Sequence, residues 1–234
     1  MTAETGPQIG PETDPETGPE TGSAARPAPL LGAILAGGQA RRFGADKAHA
    51  IYRDQRLIDQ VAAALQAQCE RVIVCGRSEP GFTAIPDAPR PDLGPLGGLN
   101  AALAYAARQG FAYVLSAGVD APDLPHDMAR LLARSSCDTG PKTGPATGPA
   151  TGPDTGPKTD TAPGAPATIT TRPAILASQP VIGLWPAKLA PELDRFLADG
   201  GRALYRFAEA VHARQIALEA PLLNINTPAD LPPQ

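Results

Sequence analysis

Residues 31–48, LGAILAGGQARRFGADKA, place an apolar run directly before paired glycines, two arginines and a lysine. Glycine lets the backbone approach phosphate oxygens closely, because no Cβ stands in the way. Arg41, Arg42 and Lys47 bring positive charge over the same loop, which neutralises phosphate. The chemistry this predicts is nucleotide binding. Two familiar phosphate loops are excluded. Gly32, Gly37, Gly38 and Gly44 lack the G-x-G-x-x-G spacing, and no GK[ST] follows.

Three further clusters carry groups that could share that chemistry. In IPDAPRPDLGPLGGLNAAL, residues 85–103, Asp87 precedes Gly94-Pro95-Leu96-Gly97-Gly98 and a helix start. A helix N-terminus can receive an anion. Asp92 is the competing carboxylate, and spacing favours Asp87. In VLSAGVDAPDLP, residues 114–125, Asp120 falls just past a buried strand. A carboxylate there suits Mg²⁺, which takes few carboxylates and completes its shell with phosphate oxygens and water. Asp123 is expected to cap or decorate the next helix. In LLNINTPADL, residues 222–231, Asn224 and Asn226 alternate off a short strand and so face one side. Taken alone, each cluster also reads as an ordinary turn or cap. His49, His126 and His212 have no metal-ligand spacing and are expected to be solvated or satisfied locally.

Positioning these groups requires alternating strands and helices. Strands are predicted at Leu30–Leu35, Arg71–Cys75, Phe111–Ser116, Pro180–Trp185 and Leu222–Ile225. Helices are predicted at Leu57–Gln68, Leu96–Arg108, Pro122–Ala133, Leu189–Leu197 and Ala203–Val211. This alternation implies an α/β fold with a mostly parallel sheet. Ligands of such sheets bind beyond the carboxyl ends of the strands. The chemistry is therefore expected after Leu35, after Cys75, after Ser116 and near Asn224.

Composition bounds the rest. The 28 prolines and 24 glycines concentrate in residues 1–29 and about 138–168. The first 22 residues carry five acidic side chains and no basic one, too polar to offset the entropy of ordering. Thr139, Thr143, Thr147, Thr151 and Thr155 each begin a TGP unit at a period of four, whereas collagen needs glycine at every third residue. The expectation is a disordered tail over 1–29 and a single domain over 30–234, interrupted by a flexible insert at 138–168. The net charge of −4 argues against a nucleic-acid partner. Cys69, Cys75 and Cys137 form no CxxC pair and are expected to be reduced thiols. The N-terminal segment has neither the basic nor the apolar region of a signal peptide. No apolar run reaches the ~20 residues of a membrane span. A cytoplasmic location without membrane attachment is expected.

With RFGADK following LAGG, the first segment resembles the nucleotide loop of the molybdenum cofactor guanylyltransferases, LAGG-x-S-x-R-[MF]-G-x-D-K. It departs at Ala40, where that family often has serine. Asp87 with GPLGG resembles the family's aspartate followed by GPL[AG]G. Asp120, Pro122, Leu124 and Pro125 resemble CD-x-P-x-[LI]-P, with Val119 in place of a small residue or cysteine and Ala121 where threonine is common. NINTPADL resembles the closing N-[VI]-NTP-[EA]-[DE]-L. Gln179-Pro180 and Gly183-Leu184-Trp185 resemble [HQ]P-V-x-G-L-[WY]. The likeness spans about residues 30–137 and 171–234.

The resemblance implies a Rossmann-like, three-layer α/β nucleotidyltransferase fold. It implies transfer of GMP from GTP to Mo-molybdopterin, giving molybdopterin guanine dinucleotide and pyrophosphate, with Mg²⁺ as cofactor. Lys47, Arg42 and Asp120 become the catalytic residues, and Asp120 the metal ligand. Leu35, Ala36, Gly37, Lys47, Asp87 and Asp120 are assigned to GTP, with backbone N–H groups of Ala36–Gly38 on base or phosphate. Gly94, Gly98, Asn224 and Asn226 are assigned to the pterin side. Molybdenum-insertion proteins or apo-molybdoenzyme chaperones are the implied partners, and the protein is expected to be a monomer. Rival readings are a cytidylyltransferase of molybdopterin, another nucleotidyltransferase of the same fold, and a non-catalytic nucleotide-binding or cofactor-chaperoning protein. LAGG rather than LAAG favours guanine.

Overall fold

The computed structural model describes residues 28–37, 46–134 and 172–231. Gly38, Arg41, Arg42, Gly44, Cys137, the tail through residue 27 and the TGP insert lie outside the described residues.

Strand β1, Leu30–Leu35, is buried along its whole length. Its side chains divide with the period of two that a pleated strand imposes. Leu31, Ala33 and Leu35 enter one apolar cluster, and Leu30 and Ile34 enter the other. A strand coated on both faces reads as a continuous apolar run, which is how LLGAIL reads.

A short hairpin follows, β2 (Ile51–Tyr52) and β3 (Gln55–Arg56), in antiparallel register. Its two turn residues, Arg53 and Asp54, have φ of 50° and 62°, as a type I′ turn requires. Helix α1 spans Leu57–Gln66 and β4 spans Arg71–Cys75. β5, Thr83–Ile85, pairs with β4. Helix α2 spans Pro95–Gln109, with proline in its first turn and left-handed Gly110 at its end, the expected asymmetry of helix ends. β6 (Tyr113–Gly118), α3 (Met128–Ala133), β7 (Ala174–Leu176), β8 (Gly183–Pro186), α4 (Ala190–Ala198), α5 (Leu204–Ala210) and β9 (Arg214–Ile216) complete the order.

The main sheet has the order β5-β4-β1-β6-β8-β7-β9. β8 runs antiparallel to both neighbours, and the other pairings are parallel. The mostly parallel α/β expectation therefore holds. α1 and α3 pack on one face through Val61, Leu65, Met128 and Leu132. α2, α4 and α5 cover the other through Leu99, Leu103, Leu193 and Phe207. Trp185 stacks on Phe207 at 5.8 Å between ring centroids. Its indole N–H donates to Ser116 Oγ at 3.0 Å, and that hydroxyl donates to the Val181 carbonyl at 2.7 Å. The buried polar atoms of β6 are thereby satisfied, as a low-dielectric core demands.

Several elements depart from the expectations drawn from sequence. The helix expected from Pro122 begins only at Met128. Pro125 lacks a donor and disfavours helical backbone at Leu124, so residues 122–127 form turns. The strand expected from Pro180 begins at Gly183, because Ile182 N–H closes a turn on the Gln179 carbonyl at 2.9 Å. The strand expected over Phe111–Ser116 lies two residues later, at Tyr113–Gly118. Leu222–Ile225 joins no ladder. Its Ile225 N–H bonds the Asp120 carbonyl at 2.9 Å instead. Cys69 and Cys75 are free thiols, as expected.

Candidate active site

The register of the central strands sets the site. Leu35 at the end of β1 lies beside Cys75 of β4 on one side and Gly118 of β6 on the other. Three carboxyl ends thus open together, and the chain emerges as Gly37, Gly76-Arg77 and Val119-Asp120. A cleft of about 260 Å³ lies over these ends. Leu35, Ala36, Gly37 and Lys47 line it from the first segment. Asp87, Gly94 and Gly98 line it from the second, and Asp120 from the third. Arg42 lies outside the described residues, so its place in the cleft is not part of this geometry.

Lys47 opens a one-turn 3₁₀ helix, Lys47–His49. Asp46 caps that turn, its carboxylate accepting from Ala48 N–H at 3.2 Å. The Arg77 fork donates twice to Asp46, at 2.6 Å each. This bidentate bond is the main reason that the Asp46 carboxyl sits below its ordinary range. The turn aims Lys47 inward, leaving its side chain 13% exposed. Its Nζ lies 3.6 Å from Asp120 Oδ2 and 3.5 Å from Asn226 Oδ1.

Asn226 arrives on the C-terminal segment, which is pinned in three ways. Ile225 is fully buried and clusters with Tyr52 and Leu57, its N–H is held by Asp120 as above, and Gln179 donates to the Leu222 carbonyl at 3.2 Å. Asn224 and Asn226 are both exposed, and neither is among the residues that line the cleft; Asn226 meets it through Lys47 Nζ. Asp230 accepts from both Asn226 and Thr227 N–H, closing a capping box.

Asp87 sits among glycines. A Cβ on Gly37 would lie 2.6 Å from its Oδ2, and one on Gly76 would lie 2.3 Å from Gly37 Cα. Gly76 also has φ of 84°, a conformation that side chains oppose. These glycines let two loops meet over one carboxylate. Its Oδ1 is buried without a hydrogen-bond partner among the described residues. Burial first, and the nearby charge of Asp92 second, push the Asp87 carboxyl above its ordinary range.

Asp87→Asn is therefore expected to raise the unfolding midpoint of the ligand-free protein. The sign follows from linkage: a raised folded pKa means that the ionised form costs stability. That cost is fully present above the folded pKa and disappears below the unfolded value near ~4. The variant's advantage should accordingly be largest at neutral pH and shrink on acidification, as thermal melts across that range would record.

Two expectations need correction. Ala36 N–H donates to the Cys75 carbonyl at 3.0 Å. It is spent on the β1–β4 seam and is not open to base or phosphate. Asp123 does not cap α3; it accepts from Arg53 Nη1 at 2.9 Å and Tyr52 OH at 3.4 Å, docking the β2–β3 hairpin beside Asp120. Ala121 is fully buried in the cluster beneath α3 and does not face the cleft, so the missing threonine hydroxyl takes nothing from its lining. His49 is locally satisfied, as expected, between Asp46 and Glu79.

Arg77 lines the cleft yet was not singled out from sequence. Its signal was its place immediately after RVIVCG, at a strand's carboxyl end. Glu79, wholly buried, had no such signal.

A family model described as the MobA-like NTP transferase domain matches residues 32–215. A molybdenum cofactor guanylyltransferase of Nitrobacter hamburgensis is 32% identical over 223 residues, covering 87% of this chain and 91% of the relative. One of Rhizobium leguminosarum is 30% identical over 218 residues, covering 86% and 90%. Among solved structures, molybdopterin-guanine dinucleotide biosynthesis protein A of Archaeoglobus fulgidus superposes with a TM-score of 0.57, covering 86% of this chain and 94% of that one. At 19% identity, that likeness concerns the fold alone.

Proposed function

Because the chain belongs to the MobA-like NTP transferase family, and within it to the molybdenum cofactor guanylyltransferases, we propose that it transfers GMP from GTP to Mo-molybdopterin. The products are molybdopterin guanine dinucleotide and pyrophosphate. One observation carries the reading at the level of chemistry. Lys47, Asp87 and Asp120, from three separate segments, line the same cleft.

In the reaction an oxygen of the pterin's terminal phosphate forms a bond to the α-phosphorus of GTP. The bond from that phosphorus to the bridging oxygen breaks, and the electron pair leaves with pyrophosphate. The nucleophile is already anionic, so no strong general base is required. The work left to the protein is alignment and charge neutralisation. Lys47 supplies a cation presented by its capped turn. Arg42 is proposed to act with it. Asp87 offers a buried oxygen without a partner among the described residues, which fits the N–H donor edge of guanine. Gly94 and Gly98 of the cleft lining are proposed to receive the pterin, together with Asn226, which meets Lys47 Nζ, and Asn224 to extend that side.

The donor set suits Mg²⁺. Among the described residues no group of three or more His, Cys, Asp or Glu converges to hold a metal, so Asp120 would hold the ion together with nucleotide phosphate oxygens. When bound, Mg²⁺ supplies charge neutralisation at the α-phosphate and the leaving group. Proteins that insert molybdenum or chaperone apo-molybdoenzymes are the proposed partners of a monomeric enzyme.

The test is pyrophosphate release from GTP and from CTP, each with and without Mo-molybdopterin. Release that requires both GTP and the pterin is the expected result. Preference for CTP would replace guanine by cytosine, and nucleotide binding without any turnover would replace the enzyme by a binding protein.

A further inference from the structure

A buried carboxylate that does not itself line the cleft meets one residue that does, Arg77. Glu79, on the loop between β4 and β5, has a side chain with no solvent exposure. Three side chains, two of them arginines, surround it. Arg56 Nη1 donates to its Oε1 at 2.8 Å. His49 Nε2 lies 2.9 Å from its Oε2, and Arg77 Nη2 lies 3.5 Å from the same oxygen. A buried charge is tolerated only when it is paired in this way. The partners come from the Lys47 turn, the hairpin strand β3 that follows it, and Glu79's own loop after β4.

The turn that carries Lys47 is tethered to Glu79 at both ends. At its start, Asp46 caps the turn and is gripped by Arg77, which reaches Glu79. At its finish, His49 meets Glu79 directly. Lys47 lies between them. Its own short 3₁₀ turn has a single capping bond to a side chain, and so short a turn is weak by itself. We propose that Glu79 is a positioning residue for the nucleotide cation: it fixes the turn on which Lys47 is presented to the triphosphate. This rests on the guanylyltransferase reading above.

The experiment is a double-mutant cycle read by calorimetric titration of the full chain with GTP in Mg²⁺. Glu79→Gln keeps the side chain's size and removes its charge. It should weaken GTP binding on the order of tenfold, the scale of a misplaced binding group. In a Lys47→Ala background the same substitution should change affinity less than twofold, because the group it positions is gone. His49→Ala cuts one tether at a half-exposed site and should show the same pattern, smaller in size. It carries the test if Glu79→Gln fails to fold. Equal losses with and without Lys47 would overturn the proposal, since they would mean general damage to the cleft. So would unchanged affinity in the Glu79 variant while Lys47→Ala alone weakens binding. Failure of the unsubstituted chain to bind GTP would instead bring down the guanylyltransferase reading, and this inference with it.

Discussion

Lys47→Ala should slow pyrophosphate release from GTP by about three orders of magnitude, the upper range for removing one preorganised group from developing charge. The fold should survive. The Lys47 side chain packs in no apolar cluster, and the polar partners seen for it are Asp120 and Asn226. Asp120 is 30% exposed, so water can take over its solvation, and a pair so placed contributes little to stability. Lys47→Arg should recover only a small part of the rate. A guanidinium is longer and flatter than an ammonium, and the capped turn leaves little freedom to re-aim it. Rates measured beside thermal melts would separate chemistry from folding. A variant that turns over at a near-native rate would remove Lys47 from the catalytic group.

Asp120→Asn is expected to have the next largest effect. The substitution preserves volume and leaves the backbone carbonyl that holds Ile225 N–H, so the C-terminal segment stays seated. What is lost is a formal negative charge at the carboxyl end of β6. If that charge holds Mg²⁺ against the phosphates, losing it removes several kcal/mol of transition-state stabilisation, or two to three orders of magnitude in rate. Its signature differs from that of Lys47. Raising Mg²⁺ should partly rescue Asp120→Asn and leave Lys47→Ala unchanged. Equal Mg²⁺ dependence in the native protein and the Asp120 variant would sink the metal-holding role.

The pairing of Lys47 with Asp120 bears on both variants. Lys47 and Asp120 face each other at 3.6 Å, close enough to offset each other's charge. Phosphate oxygens would draw the ammonium, and the carboxylate would then be free for a cation. A paired lysine and aspartate are thus compatible with a site whose ligand brings both signs of charge.

Much of the scaffold was legible because its causes are local. LLGAIL is apolar at every position and short, which suits a strand coated on both faces, and the strand over Leu30–Leu35 agrees. Pro95 and Gly110 punctuate α2 at either end. The misreadings were of another kind. Pro122–Ala133 looked amphipathic throughout, yet Pro125 stops a helix whose first residue is Met128. LLNI had the composition of a strand, but it joins no ladder, and the Ile225 amide went to the Asp120 carbonyl. Ala36 N–H looked free in a glycine loop until the parallel register placed the Cys75 carbonyl against it. Such outcomes depend on what lies beside a segment in space.

The chemical residues divide in the same way. Sequence alone determined that a glycine loop, a lysine and two aspartates stood at strand ends or helix starts, because spacing along the chain sets which backbone groups and side chains fall in one turn. It determined the family for the same reason. Tertiary structure decided how they meet. Asn226 reaches Lys47 from 179 residues away, and Glu79 draws Arg56, Arg77 and His49 to one buried carboxylate. Those contacts exist because parallel register aligns the ends of β1, β4 and β6, and because a buried charge must gather partners from whichever segments packing brings within reach.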